Sequence, residues 1–182
     1  MENIKKFLGQ ASCHFITTGA FLPSSKFLAK RMIDKMKGKV IIELGPGTGI
    51  FTEEILRLLP KDGLLISIEK NKVFSDYLGD KIKDKRFKLY NGDAGNMSLY
   101  LQENGYEKVD YIVSGLPLGH FSREVKGRIL SEAKKCLSND GMFVQFEYLL
   151  AGYSSVKKIF PKVSISFELF NLPPAFVMRC RK

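Results

Sequence analysis

A chain of 182 residues that is 45% hydrophobic and 26% charged suits one folded domain with a complete core. It shows no low-complexity tract, no repeat and no apolar run of membrane-spanning length, which argues against disordered, fibrous and integral-membrane classes. The first residues are polar and basic, without the sustained apolar core of a secretory leader, so a cytoplasmic protein is expected. Cys13, Cys136 and Cys180 are odd in number and widely spaced, and read as thiols in a reducing compartment rather than a disulfide frame or a metal site. Lys and Arg number 29 against 19 Asp and Glu, a formal charge of +10. Such a balance favours anionic partners, either nucleic acid or an acidic lipid surface, or else merely keeps a basic enzyme dispersed. Eight of the basic residues fall within the first 39 positions, against Glu2 and Asp34.

From Lys39 onward, strand-like and helix-like segments alternate. Val40–Leu44 is a short, mostly apolar strand, followed by a glycine turn and a helical pattern on Phe51, Ile55, Leu56 and Leu59. Leu64–Ile68 is the second strand, Asn71–Lys83 a helix, Phe87–Tyr90 the third strand and Asn96–Asn104 a helix. Val109–Val113 and a long helix over Phe121–Leu137 come next, and then Met142–Leu150, apolar enough for a strand buried on both faces. Val163–Phe170 and Phe176–Arg181 are strand-like with no room for a helix between them, so they form an antiparallel pair. The sum is an α/β fold: a Rossmann-like, seven-stranded, mostly parallel sheet with a terminal antiparallel pair and helices on both faces.

The first strand runs into Glu43-Leu44-Gly45-Pro46-Gly47-Thr48-Gly49 and then a helix, the layout of a nucleotide-type loop in which glycines let a ligand approach the backbone. The Gly-Lys-Ser/Thr of a phosphate loop is absent. Glu69 ends the second strand, with Lys70 in the same turn, where a carboxylate accepts from both ribose hydroxyls. Gly92-Asp93-Ala94 ends the third, where Asp93 is placed to accept from an adenine amino group. Three such contacts at the carboxyl ends of adjacent parallel strands make one crevice. A nicotinamide dinucleotide fits the glycines and the acid, but not the G-x-G-x-G spacing or the antiparallel end.

These residues resemble class I S-adenosylmethionine-dependent methyltransferases. Thr18-Gly19-Ala20-Phe21-Leu22-Pro23-Ser24-Ser25, Ser114-Gly115-Leu116-Pro117-Leu118 and Asn171-Leu172-Pro173-Pro174-Ala175 narrow the resemblance. They are similar to bacterial-type phospholipid (phosphatidylethanolamine) N-methyltransferases and, more distantly, to rRNA adenine dimethylases. The resemblance implies one methyltransferase domain over residues 1–182 with S-adenosylmethionine as cofactor and no metal, and it places Thr18 and Gly19 at the cofactor's border. The expected cofactor contacts are completed by Glu43, Gly45, Pro46, Gly47, Thr48, Gly49, Glu69, Lys70, Gly92, Asp93, Ala94 and Ser114.

The acceptor is read from the end of the fourth strand. Nucleic-acid amino methyltransferases place Asn or Asp, then Pro, then an aromatic residue here, because an adenine amino group needs polarising and its flipped base needs stacking. In Ser114-Gly115-Leu116-Pro117-Leu118 neither task is well served. An aliphatic amine, once deprotonated, mainly needs alignment, so a phospholipid head group is favoured and an rRNA or other nucleic-acid adenine is the alternative. A non-catalytic cofactor- or membrane-binding protein is a second alternative. Ser114, Leu116 and Pro117 are therefore candidate catalytic positions. His120 is either a general base or an ordinary loop histidine, and Tyr148, placed on the fifth strand, offers either a face to a cationic amine or plain core packing. Residues 1–37 are expected to form a helical lid or a membrane-contact segment. Ile4, Phe7, Leu8, Ala11 and Phe15 share one helical face, and a second helix turns Phe27, Leu28, Met32 and Met36 inward. Peripheral attachment to an anionic inner membrane face follows from the lipid reading, and nothing marks an obligate protein partner.

Overall fold

The computed structural model describes residues 25–182. Cys13, Thr18, Gly19 and the apolar face over residues 4–15 lie outside the described residues, as does most of the 1–37 segment. The elements are α1 (Lys26–Ile33), β1 (Val40–Leu44), α2 (Ile50–Leu58), β2 (Leu64–Glu69), α3 (Lys72–Lys81), β3 (Phe87–Asn91) and α4 (Met97–Glu103). They continue with β4 (Val109–Ser114), α5 (Arg123–Cys136), β5 (Leu137–Glu147), α6 (Tyr153–Ile159), β6 (Lys162–Glu168) and β7 (Ala175–Arg181). The strands form one sheet in the order β3-β2-β1-β4-β5-β7-β6. The first five are parallel, and β7 runs antiparallel to both β5 and β6, so the expected Rossmann-like sheet is the one found.

Alternation along the central strands divides the core in two. Val40, Ile42 and Leu44 of β1, Ile66 and Ile68 of β2 and Phe143 of β5 pack under α4, α5 and α6. Ile41, Leu65, Val113, Val144 and Phe146 pack on the other face, under α1 and α2. Helix starts are set by side chains that accept the orphan amides of the first turn: Ser25 from Leu28 N at 3.1 Å, Asn71 from Val73 N at 2.9 Å and Ser122 from Val125 N at 3.3 Å. Cys136 and Cys180 are free and buried, and burial pushes their thiols up to about 11 and about 12.

Two expectations need correction, and one helix went unanticipated. β5 stops at Glu147 instead of Leu150, so Tyr148 stands just past the strand; the Glu147 carboxylate accepts from Gly152 N at 2.8 Å and the chain turns there, leaving Leu149 exposed. The α6 helix that follows has one buried residue, Val156, too sparse a pattern to mark it. Phe27 does not point inward: α1 buries Leu28, Ala29, Met32 and Ile33, and Phe27 lies outside that stripe against Phe170, with ring centroids 5.5 Å apart.

Candidate active site

β1 lies between β2 and β4, so the strand order reverses there and a crevice opens at the carboxyl ends of these strands. The glycine loop occupies it. Gly45, Gly47 and Gly49 have φ of 67°, 56° and 86°, the left-handed region that disfavours any side chain. A Cβ on Gly45 would lie 2.8 Å from Leu116 Cδ2, and one on Gly49 would lie 2.5 Å from Leu78 Cδ2. A Cβ on Gly47 would meet nothing within 4 Å, which marks the open side of the loop. The Pro46 carbonyl accepts from Gly49 N at 3.0 Å and the Thr48 carbonyl from Lys81 Nζ at 3.1 Å, fixing the loop's shape.

Glu43 is fully buried beneath this loop. Its Oε2 accepts from Thr52 Oγ1 at 2.8 Å and Ser67 Oγ at 2.5 Å, while Oε1 has no partner among the described residues. Burial raises its pKa to about 7 although the two hydroxyls pull it down. Glu69 ties strand to loop, accepting from Gly47 N at 3.1 Å and from Asn71 N at 2.8 Å. Burial raises its pKa too, against those amides. Asp93 reaches the same end of the sheet but is held by other groups: Gly95 N at 2.7 Å, Arg128 Nη2 at 2.9 Å and Lys70 Nζ at 3.7 Å. Burial pushes its carboxyl up, yet the Gly95 amide and Arg128 outweigh it and hold it below the usual range. Gly92 is needed for packing, since a Cβ there would lie 2.0 Å from Tyr100 Oη, and Ala94 belongs to the core. A carboxyl oxygen left unpaired beneath an open glycine turn, ionised when a cation lies against it, fits the cationic methionine portion of S-adenosylmethionine, and a carboxylate bordering the turn fits its ribose.

The turn after β4 abuts the glycine loop. Gly115 N donates to Leu44 O at 2.8 Å, and a Cβ on Gly115 would come within 2.8 Å of Gly45 O. Ser114 is fully buried between Leu44 and Gln145 in register, its Oγ accepting from Leu116 N at 3.4 Å. Gln145, unremarked in the sequence reading, donates from Nε2 to Leu116 O at 2.8 Å and Phe146 O at 2.6 Å and so fixes the Leu116-Pro117 turn. Beside that turn is a cleft of about 300 Å³ bounded by Leu116, Pro117, Gly119, His120, Phe146, Glu147, Tyr148, Leu149 and Ala151. His120 is exposed at the end of the Leu118–His120 turn. Leu118 is fully buried in the core, so it is not the residue that faces an acceptor. The rings at the cleft are Phe146 and Tyr148, edge-on at 5.7 Å and 78°. Tyr148 thus both packs on the core and lines the cleft. Of the anticipated residues, Glu43, Gly45–Gly49, Glu69 and Ser114 share one crevice, Leu116, Pro117, His120 and Tyr148 share the adjoining cleft, and Lys70, Gly92, Asp93 and Ala94 flank the crevice from β2 and β3.

The sheet order, glycine loop and strand-end acids define a class I S-adenosylmethionine-dependent methyltransferase. Solved structures agree on the fold. A TehB-like SAM-dependent methyltransferase from Corynebacterium glutamicum matches with a TM-score of 0.65 at 14% identity, over 100% of this chain and 98% of that one. Human Methyltransferase-like protein 13 in complex with SAH matches with a TM-score of 0.62 at 16% identity, over 86% and 78%. Residues 16–155 match the model of the ribosomal RNA adenine dimethylase family, and the chain belongs to that family of S-adenosylmethionine-dependent N-methyltransferases. Within it, an ornithine lipid N-methyltransferase from Singulisphaera acidiphila is 31% identical over 186 residues, covering 100% of this chain and 97% of that protein. A ribosomal RNA small subunit methyltransferase A from Sulfurihydrogenibium sp. is 35% identical over 117 residues, 62% of this chain but 40% of that protein.

Proposed function

We propose that this enzyme methylates the aliphatic amine of a membrane-lipid head group. The observation that carries the reading is the cleft beside the glycine loop, apolar except for His120 on its edge and one buried carboxylate, and continuous with exposed apolar side chains. Leu149 is 77% exposed at its mouth. Asn171, which accepts from Ser25 N at 2.8 Å, stands beside the Tyr148 hydroxyl and joins the mouth to Phe170 (75% exposed), Leu172 (72%) and Phe27 (58%). Isolated exposed apolar residues are ordinary, but four of them on the segments that border the cleft, two in ring contact, fit insertion into a lipid surface. Lys26 and Lys30, exposed on the helix that carries Phe27, add attraction to anionic lipid worth ~1 kcal/mol each. The full-length similarity to an ornithine lipid N-methyltransferase supports the same choice.

In this reading Glu43 Oε1 faces the cationic end of S-adenosylmethionine, Gly45 and Gly47 lie against it, Glu69 accepts from the ribose and Asp93 from the adenine, with Thr18 and Gly19 at the border. When bound, the cofactor supplies an electrophilic methyl group. Ser114, Leu116 and Pro117 shape the floor on which the amine is aligned, and Phe146 and Tyr148 give it aromatic walls and exclude water. The family model and the rRNA relatives support an adenine acceptor instead, and the net charge permits it. Purified protein, S-adenosylmethionine and vesicles of an amine-bearing lipid provide the test. Mass increments of a methyl group on the head group are expected; an unaltered lipid beside methylated rRNA would reverse the choice.

A further inference from the structure

We propose that Glu147 takes the proton from the amine before that amine is methylated; this rests on the aliphatic-amine reading above. An ammonium group has no lone pair to offer. With a pKa near that of lysine, about 10, only on the order of one molecule in a thousand is the free amine at neutral pH. Something in the cleft must accept the proton, and one side chain there is both charged and buried.

Alternation along β5 places Phe143, Gln145 and Glu147 on one face, with Glu147 last, at the carboxyl end where the crevice opens. Glu147 is 6% exposed. Its Oε2 accepts from Gly152 N at 2.8 Å; its Oε1 has no partner among the described residues. Two glycines leave room around that free oxygen: a Cβ on Gly152 would lie 2.3 Å from Oε1, and one on Gly119 would lie 3.8 Å away. The groups that face the carboxylate are the Gly152 and Gly119 amides, Lys126 and His120, and none of the ion pairs among the described residues involves Glu147. Burial nonetheless raises its pKa above the ordinary carboxylate value.

Capping the turn into α6 needs one oxygen and no charge. An uncompensated buried anion is costly, and a cation that enters the cleft removes the cost. An ammonium supplies the charge and the proton together. In the step itself an N–H bond breaks, its electron pair stays on nitrogen, and an O–H bond forms at Oε1. The apolar walls narrow the gap in basicity, because desolvation lowers an ammonium pKa while it raises that of a carboxylate. After methylation the nitrogen is again cationic and Glu147 loses its proton to water.

The test compares the wild type with Glu147→Gln, Glu147→Asp and Gly152→Ala, all checked for melting temperature. Saturated with S-adenosylhomocysteine, wild type should bind amine-lipid micelles more weakly as acid protonates the carboxylate, whereas Glu147→Gln should bind weakly at every pH. A purely structural Glu147 would leave that profile unmoved. Turnover of a primary-amine lipid should fall at least ~100-fold in Glu147→Gln and partly recover in Glu147→Asp. An alkoxyamine head group, already uncharged at neutral pH, should be spared. Should Glu147→Gln fail to fold, Gly152→Ala, whose methyl displaces the carboxylate, should show the same loss. Wild-type turnover of the lipid with a Glu147→Gln rate within threefold overturns the assignment alone. Methylation of RNA and never of lipid overturns both this proposal and the reading beneath it.

Discussion

Two clefts lie along β5, and they differ in kind. At the carboxyl end of β5 lies the apolar cleft with Glu147. Beside its midpoint, at the carboxyl end of β7, a second cleft, of about 450 Å³, gathers Lys35, Lys157, Lys162, Arg179 and Arg181 around Met142 and Val163. Met142 and Glu147 are five residues apart on one strand, roughly 16 Å. Among the described residues, then, a concentration of positive charge sits away from the glycine loop, and the cleft proposed to take the amine is apolar and acidic. A net charge of +10 describes what the surface attracts, not what the cleft accepts.

The comparison breaks most readily at its two charged poles. Removing the Glu147 charge should cost at least ~100-fold in turnover of an amine lipid, whereas Lys162→Gln with Arg181→Gln should leave that turnover within about twofold. The reverse result would move the acceptor to the basic cleft.

Glu43 sharpens the account through pH. Its pKa is raised to about 7 in the fold from the ordinary 4.5, so its stabilising contribution is whole below about 4.5 and is lost as pH rises through 7. Thermal melts of the cofactor-free wild type should show that loss, up to about 3 kcal/mol, and Glu43→Gln should not. Identical pH dependence in the two would mean that Glu43 is not buried as an acid. Glu69→Ala should weaken cofactor binding by roughly tenfold or more, measured by calorimetry, and should also free Gly47 N. Unchanged affinity would remove Glu69 from the site. The smallest effect belongs to the rim. Leu149→Ser with Phe170→Ser should lower partitioning onto vesicles several-fold and leave melting unchanged, since both side chains are already exposed.

Much of this arrangement was readable from residue order. Buried parallel strands announce themselves as apolar runs, and the acids at their ends, Glu43, Glu69 and Asp93, stand where the glycine turn draws attention to them. Glu147 is a fourth acid at a strand end and escaped notice for one reason: Leu149 and Leu150 prolong the apolar run, so the strand seemed to continue. An apolar residue gives the same signal whether it extends a core or rims a cleft, and only the fold separates the two. Phe27 was misplaced on the same ground. Leu118 was compared with an aromatic that faces an acceptor, although the turn at Leu118–His120 sends it into the core. Gln145 acts through a carbonyl 29 positions away, a pairing that no local pattern records.

The most direct measurement offers both acceptors at once. Purified enzyme with methyl-labelled S-adenosylmethionine would meet amine-lipid vesicles and total rRNA in one tube, and the organic and aqueous phases would then be counted. The account predicts label in the lipid, on the head-group nitrogen. Label confined to the RNA would contradict it and give the cleft at Glu147 to a nucleobase.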